Sequence, residues 1–483
     1  MKPATKKWIK FFLRWGVAVV GVWFVVSNIS LYDTVRVQDP VDGRPVTVRL
    51  AKPATNNQSH FDIEWEDADG NVETKTVARS EIIARSQYEH VTIIDPDGQE
   101  HRVDVLGLMV PENPNLRVDR WPLLVSEPRS IFQKFLGRYD GKVWTVPPAK
   151  VTGSYSHDLL RYPLIDDGLI NIVKKADRSF LWIALLIYPI NYVVTAIRWK
   201  LLLDVLKIPL GPIRAFQINM VGAFYNTFMP GSTGGDLLRA YYAAKHTTHK
   251  GRAVLSVVID RVIGLLALVL LGGSMAAFKW LTSTDMHDPV TIKCRQVTIG
   301  SAIILGVAVV GVMVYYVPLL RRFTGLDFIL RKLPMQKHVR SMLEVADLYG
   351  QRPGVVLLTI AMSLPVHAIT VMSAMAAGQA FGLPIHPGYY WIVVPVVSLA
   401  GAMPVSPQGA GVMEFFAYLL MRGQKATVAD ALVLTMSIRF VQIFWNLLAG
   451  VFLLRGSYQA PTTKETEDMG ITDEEPTATP AKA

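Results

Sequence analysis

Four ionisable residues fall inside stretches that are otherwise apolar. Asp260 and Arg261 follow Ser256-Val257-Val258-Ile259, Glu414 follows a Pro- and Gly-rich run, and Arg439 lies well inside the last apolar block. On insertion scales a charged group at the centre of a bilayer costs about 2.5–3.5 kcal/mol, so such residues find partners or line a polar path. Two arginines and two carboxylates suit the holding of an anionic group, with the carboxylates as counter-charges when the site is empty. They equally suit an internal ion-pair network that only fixes helix packing.

Two broken stretches must position these charges. Ile213 to Ala244 contains Asn226, Pro230, Gly231, Gly234, Gly235, Asp236 and Arg239; Tyr389 to Leu420 contains Pro395, Pro404, Pro407, Gly409, Gly411 and Glu414. Each reads as two half-helices joined by a polar break. Such a break leaves backbone N–H and C=O groups unpaired, which lipid cannot satisfy, so it survives only inside protein or beside a water-filled cavity. Both stretches are therefore expected to be re-entrant hairpins. The half-helix after each break presents N–H groups and a positive dipole end, and glycines there permit close approach. With Arg261 or Arg439 beside it, such a terminus suits a phosphate.

The surroundings of these stretches set the class. Of 483 residues, 51% are hydrophobic and 18% charged, and the apolar residues come in blocks long enough to cross a bilayer. Spans are expected at Phe180–Ile197, Val254–Phe278, Val297–Val317, Val355–Phe381 and Ala431–Leu454, with an uncleaved N-terminal anchor over Trp15–Val26. The formal net charge of +10 resides mainly between the apolar blocks, where it meets lipid headgroups and enforces topology. A nucleic-acid partner is not expected. With the N-terminus in the cytoplasm, the connector holding Arg321, Arg322, Arg331 and Lys332 falls inside, as do Arg198, Lys200 and Lys245. The first hairpin then enters from the cytoplasm and the second from outside, the arrangement of a candidate inverted repeat sharing one site.

Between the anchor and the first long span the chain changes character. Alternation in Val46-Thr47-Val48-Arg49-Leu50 and Phe61-Asp62-Ile63-Glu64-Trp65, with turn signals at Asp69-Gly70 and Asp97-Gly98, predicts a small β-rich domain from about Asp33 to Pro111. A Pro- and charge-rich connector is expected to run on to Pro148. The domains are thus an anchor over 1–30, an extracytoplasmic β-rich domain and connector over 31–150, a transmembrane domain over 151–456, and a disordered cytoplasmic tail over 457–483. The fold class is an all-α polytopic membrane bundle with two re-entrant hairpins and an extramembrane β-rich insertion.

Other chemistries lack their parts. Cys294 is the single cysteine, and His246 and His249 stand in a basic loop without carboxylate or thiolate ligands, so no metal and no cofactor are expected. Asp67-Ala68-Asp69-Gly70 and Asp95-Pro96-Asp97-Gly98 begin like calcium loops but lack the closing Glu, and are turns. His367, within a span, reads as a hydrogen-bonded core histidine ahead of a proton relay. Gln408-Gly409-Ala410-Gly411 follows no strand, which excludes a dinucleotide fingerprint. No nucleophile elbow or P-loop is present, and no catalytic residue is assigned.

The sequence Arg198-Trp199-Lys200-Leu201-Leu202, Asn226 through Pro230, Gly234-Gly235-Asp236 with Arg239, Asp260-Arg261 with Gly264, and Pro404-Val405-Ser406-Pro407 with Gly409, Gly411 and Glu414 resembles the transmembrane region of lysylphosphatidylglycerol synthases, a flippase-like family. The resemblance covers roughly Phe180 to Leu454. It implies a helical bundle with re-entrant segments that moves phospholipids between leaflets of the inner membrane. No soluble aminoacyl-transferase domain follows these motifs, so aminoacyl transfer is not expected. The expected function is translocation of an anionic phospholipid or lipid-linked headgroup. Asn226, Gly234, Gly235, Asp236, Arg239, Asp260, Arg261, Glu414 and Arg439 are the substrate-binding candidates, and Pro230, Pro404, Pro407, Gly409 and Gly411 the hinges. The competing expectation is a non-transporting scaffold whose β domain recruits an envelope protein partner.

Overall fold

The computed structural model describes residues 29–40, 43–66, 71–86, 90–95, 97–113, 121–128, 142–152, 164–228, 234–325, 336–403, 409–424 and 426–453. The expected anchor, the tail, the Asp69-Gly70 turn and the hinge residues Pro230, Pro404 and Pro407 lie outside them.

The N-terminal part is a pair of antiparallel sheets enclosing one core. The first runs in the order β11 (Ile165–Asp166), β1 (Thr34–Gln38), β2 (Pro45–Leu50), β3 (His60–Glu66), β4 (Val72–Ala78). The second runs β10 (Val151–Thr152), β6 (His90–Ile94), β7 (Glu100–Met109), β8 (Leu123–Ser126), β9 (Val143–Val146), with β5 (Ile83–Ala84) added on β7. Alternation places Val48, Leu50, Phe61 and Ile63 in the core, while their neighbours Arg49 and Glu64 face each other across β2 and β3 at 3.3 Å. The β6–β7 turn is closed by Asp95, whose carboxylate accepts from the N–H groups of Asp97 and Gln99, with Gly98 at φ +80°. Strands continue past the expected boundary at Pro111: β8 and β9 complete the second sheet, and β11 closes the first. Their shortness and separation by long connections hide them from a periodicity reading.

The bundle follows directly. A short helix α1 (Leu169–Lys174) is tied to the start of β1, because Asp33 accepts from the Gly168 N–H and from Asn171 Nδ2, both at 2.8 Å. Among the described residues, five segments are long and apolar enough to cross a membrane. They are α2–α3 (Arg178–Ile187 and Ile190–Val205, joined at Pro189), α6 (Lys250–Thr282), α7 (Pro289–Tyr316), α10 (Pro353–Ala380), and α13 (Val428–Leu448) with its 3-10 extension to Leu453. Between α7 and α10 lie α8 (Pro318–Phe323) and α9 (Gln336–Gly350).

The two broken stretches form antiparallel helix pairs. In the first, α4 (Pro212–Phe228) returns as α5 (Gly234–Ala244). Asn226 Oδ1 accepts from the Gly235 N–H at 2.8 Å, and a Cβ placed on Gly235 would stand 1.8 Å from the Gly222 carbonyl oxygen. In the second, α11 (Pro387–Ala402) returns as α12 (Val412–Met421). A Cβ on Gly409, at φ +69°, would come within 2.6 Å of Gly401 Cα, and Tyr389 Oη donates to the Leu420 carbonyl at 3.1 Å. Pro395 does not belong to the break, since it lies inside the continuous α11.

The pairs are arranged crosswise. Span α2–α3, before the first pair, packs antiparallel to α10, before the second. Ala184 meets Ala376 and Ala377, Ser373 Oγ donates to the Ala184 carbonyl at 2.7 Å, and Arg198 reaches Ser363. Small residues at the crossing let the backbones approach. Helix α4 packs on α13, and α11 on α6, so each pair leans on the span that follows the other.

Candidate functional site

The larger charged cluster joins α3, α5 and α6. Asp260 is buried and accepts from Arg198 Nε at 2.9 Å on one oxygen and from Arg239 Nη2 at 3.0 Å on the other. Arg198 also donates to Ser363 Oγ at 2.8 Å, and the Arg239 guanidinium stacks 4.5 Å over the Trp199 ring. Asp236, in the first turn of α5, bridges Arg239 to Arg261. Both oxygens of each carboxylate are thus engaged, which is what a buried charge requires.

Adjacent residues on α6 have different partners here: Asp260 turns inward to Arg198 and Arg239, while Arg261 pairs with Asp236. Asp260 thus balances Arg198 and Arg239 rather than its neighbour Arg261, because successive positions on a helix point about 100° apart. Arg198 was placed in a cytoplasmic connector by sequence; the helix in fact continues to Val205, and Arg198 is buried within it. The available signal was Lys200 with Asp204, an i,i+4 pair that extends the helix past the apolar block.

The smaller cluster joins α12 and α13. Glu414 and Arg439 form a two-pronged pair, with Arg439 Nη2 donating to Oε2 at 3.2 Å and Nη1 to Oε1. Thr435 Oγ1 adds a 2.9 Å bond to the same carboxylate. Glu414 also accepts from the Gly411 N–H at 2.7 Å, capping α12. In the first pair Asn226 engages the Gly235 N–H in the same way. At each half-helix one N–H is therefore taken by a side chain, which narrows the expectation of a wholly open terminus. The structure brings Asn226, Gly235, Asp236, Arg239, Asp260 and Arg261 together, and separately Gly411, Glu414 and Arg439; Gly409 forms the close contact with α11, and Gly234 opens α5.

The clusters differ in exposure. The Arg261 side chain is 30% exposed, whereas Arg198, Arg239 and Arg439 are at 7–9%. His367 Nε2 contacts the Gly264 carbonyl at 2.8 Å, a core histidine tying α10 to α6. His246 Nδ1 lies 2.9 Å from the Tyr242 carbonyl oxygen. Among the described residues no group of three His, Cys, Asp or Glu side chains gathers to hold a metal.

A family profile described as Lysylphosphatidylglycerol synthase TM region matches residues 167–450, starting where β11 ends. A UPF0104 membrane protein of Pyrococcus horikoshii is 25% identical over 103 residues, 21% of this chain and 31% of the relative. The match thus spans about a third of that relative's length.

Proposed function

We propose that this protein, which belongs to the Lysylphosphatidylglycerol synthase TM region family, is a translocase moving an anionic phospholipid or lipid-linked headgroup between the leaflets of a cell membrane. The observation that carries this reading is a repeated device. In each half a broken helix pair is followed by a carboxylate in the first turn of the return helix and an arginine 25 residues further on: Asp236 with Arg261, and Glu414 with Arg439. The spans that precede the two pairs run antiparallel, which favours inverted halves with sites near the bilayer midplane. Helices α4, α5, α11 and α12, at 17, 11, 16 and 10 residues, extend about 15–25 Å. Each falls short of a hydrocarbon core of about 30 Å, which favours re-entrance.

The larger cluster sets the guanidiniums of Arg198, Arg239 and Arg261 against the carboxylates of Asp236 and Asp260. That leaves an excess of positive charge for an anion. In this reading Arg261, the most exposed, exchanges Asp236 for a headgroup phosphate, and Glu414–Arg439 opens only as the second helix pair moves. No covalent chemistry is assigned to the chain.

The test is headgroup accessibility in proteoliposomes containing a labelled anionic phospholipid. Arg261→Ala is expected to lower the initial rate of headgroup movement about tenfold, the loss of one charged hydrogen-bonding contact. Unchanged movement in that variant and in Arg439→Ala would remove both arginines from the path.

A further inference from the structure

We infer that the cleft between α2 and α13 is a lateral binding site for one acyl chain of an anionic glycerophospholipid, drawn from the leaflet on the β domain's side. This inference deepens the translocase reading and rests on it. The cleft has a volume of about 680 Å³ and is walled by Leu181, Trp182 and Leu185 on one side and Met436, Phe440 and Phe444 on the other. Ala184 and Ala377 form part of its floor, where their small side chains leave room. From Leu432 to Phe444 it follows α13 for about 18 Å, close to one leaflet's share of a core about 30 Å thick.

The polar end of the cleft fits the other part of such a lipid. Arg178 lines its mouth, and Lys174 and Lys175 stand exposed one turn earlier. Lys175 is paired with Asp167 at 3.1 Å, and Asp177 is occupied in capping α2 through the Ser179 N–H. Among the described residues Lys174 and Arg178 have no carboxylate partner, and a headgroup phosphate supplies one. The mouth adjoins the β domain, because α1 is bonded to the start of β1 through Asp33. Part way along, the wall touches the charged interior: Met436 Sδ lies 3.9 Å from Arg439 Nη1.

A second, smaller apolar cleft lies at the other end of the same span, beside a lysine that is already paired with Asp204. About 290 Å³ in volume, it is lined by Val193, Ile197, Pro212, Ile213 and Phe216, with Lys200 as its basic residue. Lys200 comes 22 residues after Arg178, about 33 Å along a helix. Arg178 and Lys200 thus bracket a span long enough to cross the hydrocarbon core, each beside an apolar cleft.

Full-length protein in phosphatidylcholine nanodiscs, doped with a small fraction of brominated lipid, tests the site through Trp182. Its contribution is the difference between the wild type and Trp182→Phe. Brominated phosphatidylglycerol is expected to quench it up to about 25-fold more steeply than brominated phosphatidylcholine, at about fivefold for each of the two unpaired basic residues. Removing both charges in Lys174→Gln/Arg178→Gln should abolish that preference. Ser437→Phe, which fills the cleft, should abolish the excess quenching, whereas Ser437→Ala should keep it. Equal quenching by the two lipids, or quenching indifferent to Ser437→Phe, would mean ordinary boundary lipid and overturn the site. Preferential quenching without headgroup movement in proteoliposomes would uphold the cleft and overturn the translocase reading; movement without preferential quenching would do the reverse.

Discussion

Arg439 and Glu414 hold each other in a buried, two-pronged pair, so removing Arg439 leaves the Glu414 carboxylate buried without this cation. Arg439→Ala is expected to destabilise the bundle by about 3–5 kcal/mol, because it strands the Glu414 carboxylate. Glu414→Leu/Arg439→Met, which removes both charges at similar volume, should recover most of that loss. Thermal unfolding in detergent of the single and double variants measures the difference. A double variant no more stable than Arg439→Ala would show that the pair is not what holds α12 to α13. Headgroup transport is then best read in the double variant, where folding is not the variable. The charged residues themselves were legible in sequence, as departures from apolar blocks. Their partners were not. Arg198 meets Asp260 across 62 positions, and although Lys200 with Asp204 signals that the helix continues, nothing local announces that the Arg198 side chain turns inward.

The two antiparallel helix pairs depend on glycine where backbones touch. Gly235→Ala would drive a methyl into the Gly222 carbonyl, a rigid backbone neighbour that cannot rotate aside. A loss of stability of about 1–3 kcal/mol or more is expected, read as a lowered midpoint of thermal unfolding, with transport impaired to a similar degree. Gly354→Ala, at a glycine whose Cβ would meet nothing, is the control and should be near neutral. An equal effect of the two substitutions would contradict close α4–α5 packing. That these stretches would break was evident from Pro and Gly set among apolar residues. Which glycine meets which was not, since Gly222 and Gly401 carry no signal beyond their type until the returning helices lie against them.

The β domain and the bundle meet where the chain crosses between them. The Ser30 and Leu31 carbonyls accept from the Leu169 and Ile170 N–H groups at 3.0 and 3.1 Å, so the two crossings run side by side. A short Gly/Ser linker replacing residues 34–166 is therefore expected to leave a folded bundle. A cut at Pro148 would instead orphan β10 and β11. If the protein is a translocase, proteoliposomes of this deletion should retain headgroup movement. Complete loss, with the bundle still folded by circular dichroism, would favour a function centred on the β domain. By itself the sequence determined the solvent of each part, because apolar block length and strand alternation are local properties set by burial in lipid or against a sheet. It determined too that charge and broken helix would coincide. Only the tertiary structure decided the pairing of Asp236 with Arg261 and of Asp260 with Arg198 and Arg239, the crosswise packing of the two halves, and the clefts along α2–α3. Those depend on contacts between segments far apart in the chain, where side-chain direction and backbone approach, rather than residue type, decide which groups meet.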